Sequence, residues 1–346
     1  MKEKFDKWLQ EAYQMNASDV HLTIGKAPIY RVNGNLMEQD KEKILPSFTK
    51  IIVQEILPED LWNELERKRE LDFSYGISGV SRFRINTFYQ RGELSLAIRL
   101  IPTEIPSIEQ LRLPQITKKI VQNPQGLVLV TGPTGSGKST TLASMVDFMN
   151  QSVAKHIITL EDPIEYMHKH HKSVIDQREV GFDTNSFAGG LRASLRQDPD
   201  VIMVGEMRDL ETISTAITAA ETGHLVLGTL HTTDAVSTIE RIIDVFPSEQ
   251  QDQVRIQLST ILKAVISQRL LLSKDLLGRR VATEVLINTP AVKNLIRNEK
   301  LHQIQSVLQT SREIGMHTLE MDLRRLIQEN EIAMETAAPF MQERGY

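Results

Sequence analysis

The spacing of apolar residues changes near residue 100. Before it, helical and alternating patterns follow one another at short intervals; after it, continuous apolar runs alternate with helical stretches. A first helix is predicted at the N-terminus, where one face would carry Phe5, Trp8, Leu9 and Ala12. Residues 18–31 predict short strands, broken by the turn signals Gly25-Lys26 and Asn33-Gly34. A further helical stretch is predicted over 48–69.

Two longer alternating segments complete the first hundred residues. In 81–89, Arg82 and Arg84 fall on one face of a predicted strand and apolar residues on the other. In 94–100, Arg99 points away from an apolar face made of Leu94, Leu96, Ile98 and Leu100. We therefore expect a small α+β domain over residues 1–100, with one basic sheet face.

The rest of the chain divides into three parts. Residues 101–114 contain three prolines and are predicted to be an interdomain linker. Residues 115–290 alternate strand and helix patterns, which is typical of an open parallel α/β sheet. Residues 291–346 form a predicted C-terminal helical region. Its leucines at helical spacing allow either packing on the core or contact with a partner.

The run from 132 to 140 carries a phosphate-binding motif. It matches G-x-x-x-x-G-K-[ST] and follows an apolar run at 126–130 that is typical of a buried strand. Glycines let backbone N–H groups approach phosphate oxygens, Lys138 supplies a positive charge, and the Ser139 hydroxyl can ligate Mg²⁺. The predicted nucleotide-binding residues are Gly132, Pro133, Thr134, Gly135, Ser136, Gly137, Lys138, Ser139 and Thr140. A merely flexible glycine loop is the alternative.

Strands are predicted in this second domain at 156–160, 201–204 and 225–229, and a polar cluster follows each of them, at 161–165, 205–206 and 230–231. The carboxyl ends of strands in an open α/β sheet meet at one edge, so these clusters are expected beside the phosphate loop. Glu206 is the candidate general base, because a carboxylate facing a bound nucleotide can orient the attacking water and accept its proton. The alternative for Glu206 is a charge at the N-terminus of a helix predicted over 207–220.

The remaining candidates in this domain are two acidic residues and two histidines. Glu161 and Glu165 are expected to support the Mg²⁺ shell or the water, with a simple turn at Asp162-Pro163 as the alternative. His231 and His224 are candidates for donating a hydrogen bond to a γ-phosphate. Histidines at strand ends also often satisfy nearby backbone groups, which is the alternative for both.

Composition is that of a globular enzyme. The chain has 346 residues, 40% of them hydrophobic and 25% charged, and a formal net charge of −5. The charge argues against direct binding of nucleic acid. The absence of cysteine excludes a disulfide, a thiolate zinc site and a cysteine nucleophile. The charged N-terminal sequence and the lack of an apolar run of ~20 residues predict a cytoplasmic protein that reaches a membrane only through a partner.

Several segments resemble one protein family. The stretches ITLEDPIE at 158–165, LRQDPDVIMVGEMRD at 195–209 and TGHLVLGTLHTTDA at 222–235 are similar to the acidic box, Walker B segment and histidine box of the type II/type IV secretion ATPase superfamily. ASDVHL at 17–22 and SRFRINTFYQRG at 81–92 resemble the N-terminal region of that family. The resemblance covers nearly the whole chain.

Within the superfamily the chain is most similar to the pilus-retraction ATPases. Extension and type II secretion relatives usually carry a four-cysteine zinc insert, whereas this chain has no cysteine. Residues 291–298 also resemble the AIRNLIRE motif of the retraction branch, departing from it at Val292, Lys293 and Asn298. The spacing of Val292, Leu295 and Ile296 is also that of core positions in a helix.

The resemblance implies a RecA-like P-loop ATPase core, a smaller PAS-like N-terminal α+β domain and C-terminal helices. It implies an ATP- and Mg²⁺-dependent homohexamer at the inner face of the cytoplasmic membrane, acting on an inner-membrane pilus platform protein. Arg82, Arg84 and Arg99 become candidates for neutralising charge on the γ-phosphate, with a solvated or salt-bridged strand face as the alternative. A secretion, pilus-extension or DNA-uptake ATPase, a regulator that hydrolyses little ATP and a DNA translocase are the other functions considered.

Overall fold

The computed structural model describes residues 1–32, 34–39, 42–102, 104–276 and 278–342. The chain forms two compact units. The first comprises Met1–Glu104 together with Glu165–Met167, and the second comprises Ile105–Ile164 and the chain from His168 onward.

The first unit is an antiparallel sheet covered by helices. Its six strands lie in the order β3-β2-β1-β6-β5-β4. The strands are β1 (Asp19–Leu22), β2 (Ile29–Val32), β3 (Asn35–Glu38), β4 (Glu70–Ile77), β5 (Ser81–Gln90) and β6 (Glu93–Leu100). The helices are α1 (Lys2–Gln14), α2 (Pro46–Ile56) and α3 (Glu59–Lys68). The predicted apolar face of α1 is confirmed, since Phe5, Trp8, Leu9 and Ala12 are all buried.

One predicted helix of this unit is two. The stretch 48–69 breaks between α2 and α3 at Leu57-Pro58. A residue before proline is driven out of the helical region, and Leu57 accordingly has φ −94° and ψ 137°. The predicted Asn33-Gly34 turn lies partly outside the described residues, because Asn33 is not among them.

The second unit is built on a seven-stranded sheet in the order β13-β12-β7-β11-β10-β8-β9. The strands are β7 (Gly126–Thr131), β8 (His156–Glu161), β9 (Val174–Glu179), β10 (Val201–Val204), β11 (Leu225–Leu230), β12 (Leu262–Leu272) and β13 (Arg279–Ile287). All neighbours are parallel except β13, which runs antiparallel to β12. Two apolar clusters pack on this sheet, which is why β7 and β11 are buried along their whole length.

Helices connect and cover these strands. They are α4 (Ile116–Ile120), α5 (Lys138–Ser152), α6 (Phe187–Ser194), α7 (Leu210–Glu221), α8 (Ala235–Asp244), α9 (Ser248–Ile261), α10 (Pro290–Arg297), α11 (Ile304–Thr310), α12 (Leu319–Gln328) and α13 (Met334–Gln342). Short 3₁₀ turns lie at Leu301–Gln303 and Arg312–Ile314.

The C-terminal helices belong to the core of the second unit. Leu323 and Leu326 of α12 are buried in a cluster with Leu271 of β12 and Ala282 of β13. The buried Asp322 carboxylate accepts a 2.8 Å hydrogen bond from the backbone N–H of Thr283. Packing on the core is therefore the role of this face of α12. In α10, two buried side chains, Val292 and Ile296, likewise join the main apolar cluster.

Candidate functional site

The phosphate loop lies between β7 and α5, the arrangement that the motif requires. Its three glycines, Gly132, Gly135 and Gly137, have φ of 144°, 78° and 86°. These angles lie in the region that L side chains rarely adopt. A Cβ on Gly132 would also lie 2.4 Å from the backbone oxygen of Gln268. The loop therefore keeps its shape, with its backbone close to β12, only with glycine at these positions.

Lys138 begins α5 and its ammonium folds back over the loop. Nζ donates hydrogen bonds to the carbonyl oxygens of Gly132, at 2.8 Å, and of Pro133, at 3.1 Å. Ser139 and Thr140 follow in the first helical turn. Helix N-termini carry unsatisfied N–H groups and partial positive charge, so the loop, the ammonium and the helix together favour an anion.

Three strands deliver polar side chains to the same edge of the sheet as the loop. β7, β11, β10 and β8 are consecutive parallel neighbours, so their carboxyl ends are aligned. Glu161 ends β8, Gly205 and Glu206 follow β10, and His231 follows β11.

The backbone on both sides of Glu206 is held by the neighbouring strands. Gly205 N–H donates to the carbonyl of Leu160 at 2.7 Å, and Met207 N–H donates to the carbonyl of Thr229 at 3.0 Å. The Thr229 hydroxyl donates to the Gly205 carbonyl at 2.5 Å. The carboxylate of Glu206 is therefore presented from a fixed backbone, although it lies outside any strand or helix.

The Glu206 side chain has two basic neighbours. Its Oε1 lies 2.7 Å from Nε2 of His231 and accepts a hydrogen bond from the guanidinium of Arg208. The other ring nitrogen of His231, Nδ1, lies 3.5 Å from Nζ of Lys138. Hydrogen bonding and attraction to Glu206 raise the pKa of Arg208. These contacts place the candidate base, a histidine and the loop lysine in one connected group.

A cavity of about 530 Å³ opens on this group. It is lined by Thr134, Glu206, Met207, Arg208, Leu230, His231, Thr232 and Arg241. The phosphate loop and the carboxyl ends of β10 and β11 thus line one concave surface. Its cationic, anionic and imidazole groups are those of a phosphoryl-transfer site.

The alternative role of Glu206 as a helix-terminal charge is not what the structure shows. The predicted helix over 207–220 begins later, at Leu210. Asp209 is its cap, because the Asp209 carboxylate accepts from the backbone N–H of Thr212 at 2.8 Å. Glu206 is therefore left to face the cavity.

The two other acidic candidates are not brought to the cavity. Glu161 is buried, with Oε1 accepting from the Thr159 hydroxyl at 2.7 Å and from the Gln177 amide at 3.0 Å. These two hydrogen bonds fix the orientation of the Glu161 carboxylate at the end of β8. Glu165 is exposed and belongs to the first unit. Their roles around Mg²⁺ or water stay predictions.

The structure does not bring His224 to the phosphate loop. His224 precedes β11 whereas His231 follows it, and seven residues of extended chain span roughly 20 Å. The Nδ1 atom of His224 lies 2.9 Å from the carbonyl oxygen of Ala219. Within this unit His224 therefore lies at the amino end of its strand and contacts a nearby backbone carbonyl, as the alternative for this residue expects.

The three candidate arginines lie on the sheet of the first unit. Arg84 Nε lies 3.6 Å from Asp72, and Arg99 Nε donates to Asp19 at 3.1 Å. Arg82 is half-buried on the same strand as Arg84. Arg84 and Arg99 are thus salt-bridged, the arrangement expected of the alternative reading, and a nucleotide role for any of the three stays a prediction.

Sequence reasoning missed two buried polar residues that support the site. Gln268 of β12 contacts the loop, and Glu284 of β13 accepts a 3.0 Å hydrogen bond from Ala235 N–H at the start of α8. Both are buried, at a depth where polar groups need partners, in strands that also carry other polar residues. The sequence carries no distinct signal for either residue, because each has a polar neighbour in its strand, Ser267 or Thr283.

Comparison with known proteins gives the family. The family model described as type II/IV secretion system protein matches residues 1–337. The type IV pilus retraction ATPase PilT of Pseudomonas aeruginosa is 46% identical over 325 residues, 94% of each chain. The twitching motility protein of Neisseria gonorrhoeae is 47% identical over 310 residues, 90% of this chain and 83% of that protein.

A solved structure agrees with these matches. The crystal structure of the pilus retraction motor PilT with bound ADP superimposes with a TM-score of 0.89 at 49% identity, covering 98% of this chain and 97% of that one. The predicted α/β fold with a RecA-like core and a smaller N-terminal domain is thereby confirmed. Among the described residues, no helix is both long and apolar enough to cross a membrane. The chain belongs to the type II/IV secretion system protein family.

Proposed function

We propose that this protein is an ATP-hydrolysing hexameric motor that powers retraction of type IV pili. The observation that carries the proposal is the connected group of Lys138, His231 and Glu206 beside a phosphate loop. The predictions of an ATPase and of the retraction branch are confirmed by the pilus retraction ATPase PilT and the solved structure of the retraction motor, which this chain covers to 94% and 97%. The alternative of a secretion, extension or DNA-uptake motor is not favoured by these comparisons.

Nucleotide binding falls to the loop and the start of α5. The loop N–H groups and Lys138 would hold the β- and γ-phosphates, since the loop glycines admit close approach of backbone. Binding would turn the Lys138 ammonium from the carbonyls of Gly132 and Pro133, which accept from it in this structure, toward phosphate oxygens. The bond to phosphate is the stronger of the two, because the phosphate oxygens are charged acceptors and the carbonyl oxygens are neutral.

The hydroxyl of Ser139 fits a magnesium ligand. It is a neutral oxygen in the first turn of α5, adjacent to Lys138, and Mg²⁺ prefers oxygen ligands shared with substrate phosphates. Mg²⁺ bound with ATP would neutralise negative charge on the phosphates. The loop, Lys138 and Ser139 then fix the nucleotide with its γ-phosphate toward the cavity.

Glu206 is proposed as the general base for hydrolysis. Its carboxylate lines the cavity and is about one-fifth exposed, so a water molecule can reach it. The carboxylate would orient this water and accept its proton as the water attacks the γ-phosphorus. His231 holds the carboxylate in place from the side of the loop.

Movement and assembly complete the proposal. Contacts that depend on the γ-phosphate would favour one conformation before hydrolysis and another after product release. In a homohexameric ring at the inner face of the cytoplasmic membrane, these changes would act on the inner-membrane platform protein of the pilus. No direct contact with nucleic acid or lipid is proposed.

The test is a count of surface pili in cells whose only copy of the protein carries Glu206→Gln. A retraction motor without its base should leave more pili than in the wild type, none of them retracting. Bald cells would instead indicate an extension motor. Unchanged, retracting pili would assign this ATPase to another machine.

A further inference from the structure

Gln268 is a buried side chain that contacts the phosphate loop from the neighbouring strand β12. It is 2% exposed. Its Nε2 donates a 2.6 Å hydrogen bond to the carbonyl oxygen of Ser136, in the middle of the loop. Its Oε1 accepts a 3.0 Å hydrogen bond from the hydroxyl of Thr141, in the first turn of α5. One amide thus joins the loop to the helix that follows it.

The two contacts fix the orientation of this amide. A carbonyl oxygen can only accept, so the atom facing Ser136 must be the NH₂ group. The backbone N–H of Thr141 donates to the Gly137 carbonyl at 3.0 Å, and the hydroxyl of Thr141 then donates sideways to Oε1. Donor and acceptor are both satisfied, as a buried amide requires.

Holding the Ser136 carbonyl also sets the direction of the next N–H group. In a trans peptide the C=O and the following N–H point in opposite directions. With the Ser136 oxygen directed at β12, the Gly137 N–H is directed away from β12. The left-handed φ of 86° at Gly137 makes this turn of the backbone possible, and only glycine adopts it without strain.

We propose that Gln268 is a positioning residue for nucleotide binding, which holds the peptide between Ser136 and Gly137 so that the Gly137 N–H faces the phosphate. The inference rests on the proposed ATPase function. The loop backbone packs closely on this residue at two points. A Cβ on Gly132 would lie 2.4 Å from the Gln268 carbonyl oxygen, and one on Gly137 would lie 3.3 Å from Nε2.

The test compares two buried variants of adjacent residues on β12. Gln268→Met keeps the length of the side chain and removes both the donor and the acceptor. Ser267→Ala is the matched control. Ser267 is also a buried polar residue, and it accepts a 2.9 Å hydrogen bond from the hydroxyl of Thr131 rather than holding the Ser136 carbonyl. For the full-length protein, the dissociation constant for ADP, the KM for ATP and the thermal midpoint without nucleotide are measured.

Gln268→Met should raise the ADP dissociation constant and the KM for ATP on the order of tenfold or more. This is the effect expected when the hydrogen bond from the Gly137 N–H to a charged phosphate is lost. Ser267→Ala should leave both constants within about twofold of wild type, even if its thermal midpoint falls as far as that of Gln268→Met. An unchanged ADP affinity in Gln268→Met would overturn the proposal and leave Gln268 a packing residue. A wild-type protein that binds no ADP would overturn the proposed function as well.

A second variant tests the donor itself. Gln268→Glu keeps an acceptor for Thr141, but its carboxylate cannot donate to Ser136, so ADP affinity should fall at pH 8. Burial raises the pKa of a carboxyl group, and the protonated form regains one O–H donor. Affinity relative to wild type should therefore recover as the pH falls from 8 to 6. A ratio independent of pH would contradict the assignment.

Discussion

The imidazole of His231 lies between the candidate base and the phosphate loop, with Nε2 at 2.7 Å from Oε1 of Glu206. Its other nitrogen is 3.5 Å from the ammonium of Lys138. Because one rigid ring contacts both groups, a movement of Lys138 toward bound phosphate changes the surroundings of the carboxylate. The structure thus offers a direct physical link between nucleotide binding and the group proposed to activate water.

Glu206→Gln should separate binding from hydrolysis. The amide keeps the size of the side chain and can still contact His231, but it cannot accept the proton of the attacking water. We expect ATP affinity close to wild type and a kcat lower by ~10²-fold or more, the range for loss of a general base. Titration of ATP binding and steady-state phosphate release give the two quantities.

Glu211→Gln is the matched control for this variant. Glu211 lies in the first turn of α7 and pairs with Arg192 on the surface, away from the cavity lining. It should retain wild-type kcat, since exposed ion pairs contribute little. Wild-type turnover in Glu206→Gln would move the base to another residue.

Lys138→Ala should abolish nucleotide binding as well as turnover. The ammonium is the one cation within the loop motif, and its loss leaves the phosphates with backbone donors alone. Equilibrium dialysis with ADP measures the loss. Lys300→Ala, at an exposed position after α10, serves as the control and should bind normally. Retained ADP binding in Lys138→Ala would show that the loop is not the nucleotide site.

His231→Ala should act through Glu206 rather than independently of it. We expect the single change to lower kcat roughly tenfold, an interaction of the size found between contacting residues. Added to Glu206→Gln it should cost little more, because the carboxylate that it positions is already gone. The kcat values of wild type, both single variants and the double variant form the cycle. Multiplicative losses would assign His231 a separate role.

The arrangement of strands in the second unit could be predicted from local pattern where the strands are buried on both faces. The predicted strands at 156–160, 201–204 and 225–229 are confirmed as β8, β10 and β11, because continuous apolar runs bounded by turns are typical of parallel strands. β12 and β13 were not predicted. Polar runs that include Ser267 with Gln268 and Thr283 with Glu284 interrupt their apolar pattern. Only the tertiary structure shows the partners that make burial of Gln268 and Glu284 possible.

The site was predictable where the loop motif or the carboxyl end of a buried strand places a residue. It was not predictable where a residue lies at the start of a strand or in a strand that was not predicted. Glu206 and His231 were placed at the loop because both follow buried strands. His224 lies at the opposite end of β11 from His231, although both belong to the segment 222–235 that resembles the histidine box. Arg208 was missed because it lies two residues beyond Glu206, and Gln268 was missed because β12 was not predicted.

Arg84 is a candidate for acting on the nucleotide of a neighbouring subunit. If so, Arg84→Ala and Glu206→Gln rings should each be inactive, while mixed rings contain some sites with an intact arginine and an intact base. Phosphate release measured over mixing ratios should pass through a maximum. Arg67→Ala, at an exposed position of α3, should be active without mixing. No rescue at any ratio would count against a role in trans, and the same design applies to Arg82 and Arg99.

His168 should make the stability of the second unit depend on pH. Burial lowers the pKa of its imidazole to about 4, against 6.5 in the absence of burial. Its Nδ1 is buried and has no hydrogen-bond partner among the described residues. Between these two pH values the unfolded chain binds a proton at His168 that the folded chain does not bind. The contribution of His168 to the free energy of unfolding is therefore present above pH 6.5 and is lost as the pH falls toward 4.

The change to test is His168→Gln, which cannot titrate. Between pH 7.5 and 5 the free energy of unfolding, measured with urea, should fall more for wild type than for His168→Gln, by about 1–2 kcal/mol. Other acid-sensitive groups cancel in this difference because both proteins contain them. His302→Gln, at an exposed position, should follow the wild-type curve. Parallel curves for wild type and His168→Gln would mean that His168 titrates normally in the folded protein and that its ring is reached by solvent.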